Sequence, residues 1–197
     1  MDKIRVRSGK VISGSVDVSG SKNAALPILI SSLLAEKPCV YDRVPDLHDI
    51  ASTFTILEHL GAHKKWNPHQ HQVTVDASKI IGYEAPYDIV RKMRASVLVL
   101  GPLLARFGKA KVSLPGGCAI GARPINYHLA GFKALGAEIE LEGGYVLAHT
   151  KKLRGGRVAF EFPSVGATEN ILMAATLASG ESILENCVKE LEIVDLA

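Results

Sequence analysis

Apolar and polar residues alternate with a period of two near the start of the chain, then shift to a helical rhythm, and the change recurs. Over residues 3–18 the apolar positions Ile4, Val6, Val11, Val16 and Val18 surround Ser8-Gly9 and Ser13-Gly14. That pattern predicts a β-hairpin or two short strands. Ser19-Gly20-Ser21 then opens a helix over 22–34, with Ser21 as its N-cap and Pro27 as an internal strain. A strand over 37–44 follows, then a helix from Asp46 to Leu60-Gly61, then a strand pair, 63–65 and 72–75, around Asn67-Pro68. The order then returns. Residues 95–107 read as a helix, 111–114 as a strand and 126–135 as a helix closed by Gly136. A hairpin of 138–141 with 145–148 turns at Gly143-Gly144. A third cycle opens at Ser164, with a helix from Thr168 to about residue 178 and a strand over 182–187.

The helix starts at Lys22, Ala95 and Thr168 are spaced by about 73 residues. Ser-Lys-Asn-Ala-Ala-Leu at 21–26 is echoed by Ala-Thr-Glu-Asn-Ile-Leu at 167–172. This is an internal repeat whose unit is a whole α/β module, so the fold class is α/β (α+β) built from repeated units. The stretch Glu192-Ile193-Val194-Asp195-Leu196-Ala197 falls where Asp46 opens the second helix of the first cycle. The chain is therefore expected to stop inside its third unit and to be part of something longer.

Composition narrows the function classes. The 197 residues are 47% hydrophobic and 22% charged, ordinary for a soluble globular protein. A net charge of +3 and an aromatic content of 6% give no footprint for nucleic acid. The charged N-terminus lacks the apolar core of a signal peptide. The longest apolar runs, 24–34 and 97–105, are too short to span a membrane. Three scattered cysteines make no disulfide framework, which favours a reducing cytoplasm.

The candidate chemistry centres on Leu114-Pro115-Gly116-Gly117-Cys118-Ala119-Ile120-Gly121-Ala122-Arg123-Pro124. Glycine and proline this dense make a loop, and a loop thiol beside a fixed cation reacts rather than packs. Between Asp88 and Glu138 there is no acidic residue, but there are Arg91, Lys92, Arg94, Arg106, Lys109, Lys111, Arg123 and Lys133. A thiol inside this basic run predicts an anionic ligand; the alternative is a solvated basic face. Lys22 and Asn23 stand in a first helical turn behind Gly20, where free N–H groups and the dipole hold anions. Lys22, Arg94 and Arg123 are candidates to neutralise one polyanion, the alternative being salt bridges to acids elsewhere. His128 could pair with Cys118. Cys39 and Cys187, at corresponding repeat positions, read as small core residues in strands. His59, His63, His69 and His71 lack completing ligands, so no metal site is expected.

With LPGGCAIGARP, SGSKNAALPIL and SVGATEN in view, the whole chain resembles the bacterial UDP-N-acetylglucosamine 1-carboxyvinyltransferase family of enolpyruvyl transferases. The cysteine loop separates it from the shikimate-pathway relatives of the same fold. The resemblance implies two domains of three α/β units each, an inside-out α/β barrel with helix N-termini at a cleft. Residues 1–21 would then belong to a second domain absent here, and 22–197 to the first, truncated in its third repeat. It implies transfer of the enolpyruvyl group of phosphoenolpyruvate to the 3-hydroxyl of UDP-N-acetylglucosamine with release of phosphate, without a cofactor, in the bacterial cytoplasm. This is the first committed step of peptidoglycan synthesis.

Residue by residue, Cys118 matches the general acid, which can also form an adduct with phosphoenolpyruvate. Lys22, Asn23 and Arg123 match its phosphoenolpyruvate contacts. Asn23, Arg94, Arg123, Pro124, Ile125, Asn126, Tyr127, Ser164, Val165 and Gly166 match its UDP-N-acetylglucosamine contacts. Asn126 replaces the usual aspartate, and Leu191 the usual proline. The implied partners are the two substrates and the missing C-terminal half, with no nucleic acid and no membrane. The family's catalytic aspartate lies in that half, so this piece alone is expected to turn over negligibly. Two other readings stand beside this one: a transferase of the same fold with another acceptor, and a non-catalytic anion-binding domain.

Overall fold

The computed structural model describes residues 3–90, 94–114 and 125–197, without the side chains of Arg94 and Ala95. The first unit starts with α1 (Lys22–Ser31), prolonged by a 3-10 turn at Ser32–Leu34. It continues through β1 (Cys39–Tyr41), α2 (His48–Leu60), β2 (His63–Asn67) and β3 (Gln72–Asp76). The second holds β4 (Glu84–Ala85), α3 (Tyr87–Val90), a 3-10 segment Arg94–Val99 running into α4 (Leu100–Phe107), and β5 (Lys109–Ser113). It closes with α5 (Asn126–Ala134), β6 (Glu138–Glu142) and β7 (Tyr145–His149). The third holds β8 (Arg157–Ala159), α6 (Val165–Ala175), β9 (Ile183–Glu185) and α7 (Leu191–Leu196).

The repeat is a repeat of pairing. In the first sheet, ordered β1-β3-β2, Cys39 faces Val75; in the second, ordered β4-β5-β7-β6, Lys111 faces Leu147 in the same antiparallel arrangement. β4 lies parallel to β5 across α4, and β8 parallel to β9 across α6. Each pair is thus a βαβ crossover with its helix on one face. Helix α6 packs against both α4 and α1, and the 3-10 segment touches all three. A single set of buried side chains, including Leu29, Leu33, Leu100, Leu104, Phe132 and Ile171, joins the units. Local signals set the ends. Ser21 and Ser164 cap α1 and α6 by accepting from Ala24 N–H and Ala167 N–H, each at 3.4 Å. Gly61 ends α2 at φ 106°.

Several expectations change. Residues 3–20 form no strand with any described residue, and Ile4, Val11 and Val18 are 90–97% exposed. Alternation marks strand potential, but an isolated hairpin with no face to pack against is marginal in water. Pro27 leaves α1 unbroken; the helix tightens only at Ser32. Cys39 and Cys187 are half-buried rather than core, and Cys187 lies just past the end of β9. The two-residue β4 and three-residue β8 are too short to show a period. Among the described residues no helix is long and apolar enough to cross a membrane.

Candidate functional site

Four of the predicted site segments stand at the starts of helices. Lys22 and Asn23 are the first two residues of α1 and both are exposed. Arg94 begins the 3-10 segment that leads into α4. Ile125 precedes α5, whose first two residues are Asn126, exposed, and Tyr127, half-buried. Ser164 is the N-cap of α6, followed by Val165 and Gly166 in its first turn. Cys118, Arg123 and Pro124 lie outside the described residues. The flanks of their loop are placed: Leu114 N–H donates to Gly144 O at 2.8 Å, and Ile125 is buried.

Packing joins these helices in pairs. α1 touches α6 and the 3-10 segment, and α5 lies along α6. The closest link is His128, in the first turn of α5 and buried. Its ring edge faces Gly166, where an added Cβ would stand 3.4 Å from Cε1 and 3.6 Å from Nε2. Lys22 Nζ donates to Asp49 Oδ2 at 2.8 Å, joining the first turns of α1 and α2. An open cleft of about 410 Å³ borders the start of α1, lined by Ser21, Ala24, Tyr41, Arg43 and Asp195 among others. Tyr41 has its hydroxyl pushed far above the ordinary range by burial, with Cys39 adding to the shift.

Much of the basic run serves the fold. Arg106 donates to the carbonyls of Leu33 and Ala77 at 2.9 and 2.8 Å, tying the first unit to the second. Lys111 pairs with Glu84 at 3.1 Å, which raises its ammonium above the ordinary lysine value. Lys109 sits over the Tyr83 ring, 4.1 Å from its centre. These three are tied into the fold, and Lys22 makes the salt bridge to an acid elsewhere, Asp49, that was the alternative to its anion-binding role.

Three polar residues of α6 escaped the sequence reading. Thr168, Glu169 and Asn170 are all at most 4% exposed. The signal was there: three consecutive polar residues in a helix apolar on both sides must bury at least one of them. Burial, with the Glu192 carboxylate as a second cause, pushes the Glu169 carboxyl up to about 7. Asn170 donates to His128 Nδ1 at 3.0 Å.

A core of α/β units with parallel βαβ crossovers is the class of fold that solved enolpyruvyl transferases share with this chain. Among solved structures, the enolpyruvyl transferase NikO from Streptomyces tendae superposes with a TM-score of 0.81 at 23% identity, over 93% of this chain and 43% of that one. EPSP synthase from Acinetobacter baumannii gives 0.74 at 18% identity, over 92% and 42%. The sequence profile of the EPSP synthase (3-phosphoshikimate 1-carboxyvinyltransferase) family matches residues 6–197, and the chain belongs to that family. Curated relatives named UDP-N-acetylglucosamine 1-carboxyvinyltransferase align along the entire chain. They include proteins from Geobacter metallireducens at 57% identity and Pseudoalteromonas atlantica at 54%. The chain spans 47% of the length of each.

Proposed function

We propose that this chain supplies the cysteine-bearing half of a UDP-N-acetylglucosamine 1-carboxyvinyltransferase of bacterial peptidoglycan synthesis, working in the cytoplasm. The observation that carries the reading is the alignment along all of its length with relatives named for that reaction.

In this reading Lys22 and Arg123 neutralise the phosphate and carboxylate of phosphoenolpyruvate as charge moves, with Asn23 beside them, and Arg94 meets the nucleotide sugar. Asn126, Tyr127 and Ser164-Val165-Gly166 hold the nucleotide sugar, together with Arg123-Pro124-Ile125. The Cys118 thiol gives its proton to C3 of phosphoenolpyruvate while the sugar 3-hydroxyl oxygen bonds to C2 and passes its proton to a base. A C3 proton then returns to the thiolate, the C2–C3 double bond re-forms and the C2–O bond to phosphate breaks. Phosphate leaves with the proton taken from the hydroxyl. The base belongs to the other half of the site. Residues 1–21, whose alternation at 3–18 is strand-forming and joins no strand among the described residues, pair with that half, and 22–197 form the first domain.

The test is phosphate release from phosphoenolpyruvate and UDP-N-acetylglucosamine by this chain mixed with a relative's C-terminal half, against the Cys118→Ala variant. Release that needs both pieces and the cysteine supports the reading. No release from the mixture, with phosphate or nucleotide binding indifferent to Cys118→Ala, would replace it with an anion-binding domain. One feature favours a second acceptor: Asn126 stands at the start of α5 where the resemblance expects an aspartate. Competition between UDP-N-acetylglucosamine and shikimate 3-phosphate separates the two.

A further inference from the structure

Asn170 is fully buried, and its amide is held by three elements at once. Oδ1 accepts the Gly101 N–H of α4 at 2.8 Å, and Nδ2 donates to the Val97 carbonyl of the 3-10 segment at 2.9 Å. A backbone N–H only donates and a carbonyl only accepts, so these two contacts settle which end of the amide is oxygen and which is nitrogen. The remaining Nδ2 hydrogen meets His128 Nδ1 at 3.0 Å. Nδ1 must then accept, and a neutral ring so held carries its proton on Nε2. The clamp is tight on its far side as well. A Cβ at Gly101 would run into the Asn170 carbonyl oxygen and come 2.5 Å from Oδ1, so α4 meets α6 closely only with glycine there.

The ring held this way is the wedge between two first turns. His128 follows Asn126 and Tyr127 on α5, and its Cε1–Nε2 edge lies against Gly166, two residues after the Ser164 cap of α6. A pairing in which His128 acts as base toward Cys118 would need a bare Nε2 and a proton on Nδ1. That would set two N–H groups against each other at 3.0 Å.

We infer that Asn170 is a positioning residue for the nucleotide-sugar side of the site, acting through His128. It holds the imidazole with Nδ1 accepting and Nε2–H at the first turn of α6, and so fixes the spacing between that turn and the first turn of α5. The assignment of a ligand to these turns rests on the function proposed above; the tautomer does not.

The test is a two-bond proton–nitrogen correlation spectrum of the histidine rings in the 197-residue chain at pH 7.5, followed by titration with UDP-N-acetylglucosamine. The wild type is expected to show His128 as the Nε2–H tautomer and to move its signals on titration. In Asn170→Asp a carboxylate oxygen faces Nδ1, so the proton is expected there, and nucleotide-sugar affinity is expected to fall tenfold or more. An Nδ1–H ring in the wild type overturns the inference. If Asn170→Asp does not fold, His128→Gln and His128→Phe decide. Glutamine can accept from Asn170 and still present an N–H, so it should bind within threefold of wild type while phenylalanine loses tenfold or more. Equal binding by the two overturns the positioning role. An Nε2–H ring in a wild type that binds no nucleotide sugar overturns the functional reading instead.

Discussion

Lys22 Nζ lies 2.8 Å from Asp49 Oδ2, so the cation at the start of α1 is held by a carboxylate from the first turn of α2. Both side chains are partly open to solvent, and such pairs are worth about 0.2–1 kcal/mol. An anion at the first turn of α1 competes with Asp49 for the same ammonium. Asp49→Asn is therefore expected to tighten binding of inorganic phosphate by about two- to fivefold. Calorimetric titration at low ionic strength would measure it, and the gain should shrink as salt is added. Unchanged affinity would mean that Lys22 does not touch the anion.

Gly20 is required by a close approach rather than by an unusual φ. A Cβ there would run into the Arg43 carbonyl oxygen and stand 3.3 Å from Pro45 Cδ. Residues 3–20 are paired with nothing described, so the chain before Gly20 can give way. The strain then falls on the Ser21 cap and on the position of Lys22. Gly20→Ala should lower stability by about 1–2 kcal/mol, at the mild end of overpacking. The urea midpoint would shift with an unchanged slope. An unaltered midpoint would show that the approach to Arg43 is not held in solution.

What could be read from the sequence was what short-range chemistry decides. Ser21 and Gly61 marked helix ends because caps act within a turn, while the third helix was expected from Thr168 and starts at Val165 behind Ser164. The repeat carried over into matching pairings, Cys39 with Val75 and Lys111 with Leu147. Pairing over long range could not be read. Arg106 reaches carbonyls of the first unit, at Leu33 and Ala77, and nothing near it in sequence announces that. Residues 3–18 alternate as a strand does, but alternation does not supply a partner. The first turn of α1 was legible as an anion segment from Lys22 and Asn23, whereas those of α5 and α6 were named only through the resemblance. That Asn170 ties α5 to α6 was not legible: the polar run of α6 signalled that one of its residues is buried, but not which one or against what.

Leu191 opens α7 with its side chain 83% exposed, and Glu190 before it is extended at φ −87° and ψ 147°. Proline fits a first helical position, and the residue ahead of it is already where proline would push it. Leu191→Pro is expected to be stabilising by about 0.4–1 kcal/mol, acting through the unfolded chain. The gain should appear as slower amide exchange confined to 192–197. Faster exchange there would mean that the Leu191 N–H has a partner the helix needs.

Glu169 gives the pH dependence its sign. It is 4% exposed, and its carboxyl is raised to about 7 by burial, then by Glu192. The unfolded chain ionises this group near 4.3. Between the two values the unfolded state sheds a proton that the folded state keeps, so stability falls as pH rises. The contribution of the neutral acid is complete below about pH 4 and is lost through pH 7, amounting to about 4 kcal/mol at most. Glu169→Gln keeps the shape and cannot ionise. Urea unfolding should find the variant close to wild type at pH 5 and more stable at pH 8, and Glu192→Gln should move wild type only part of the way. Parallel curves for wild type and Glu169→Gln would show that water or movement of α7 relieves the buried charge.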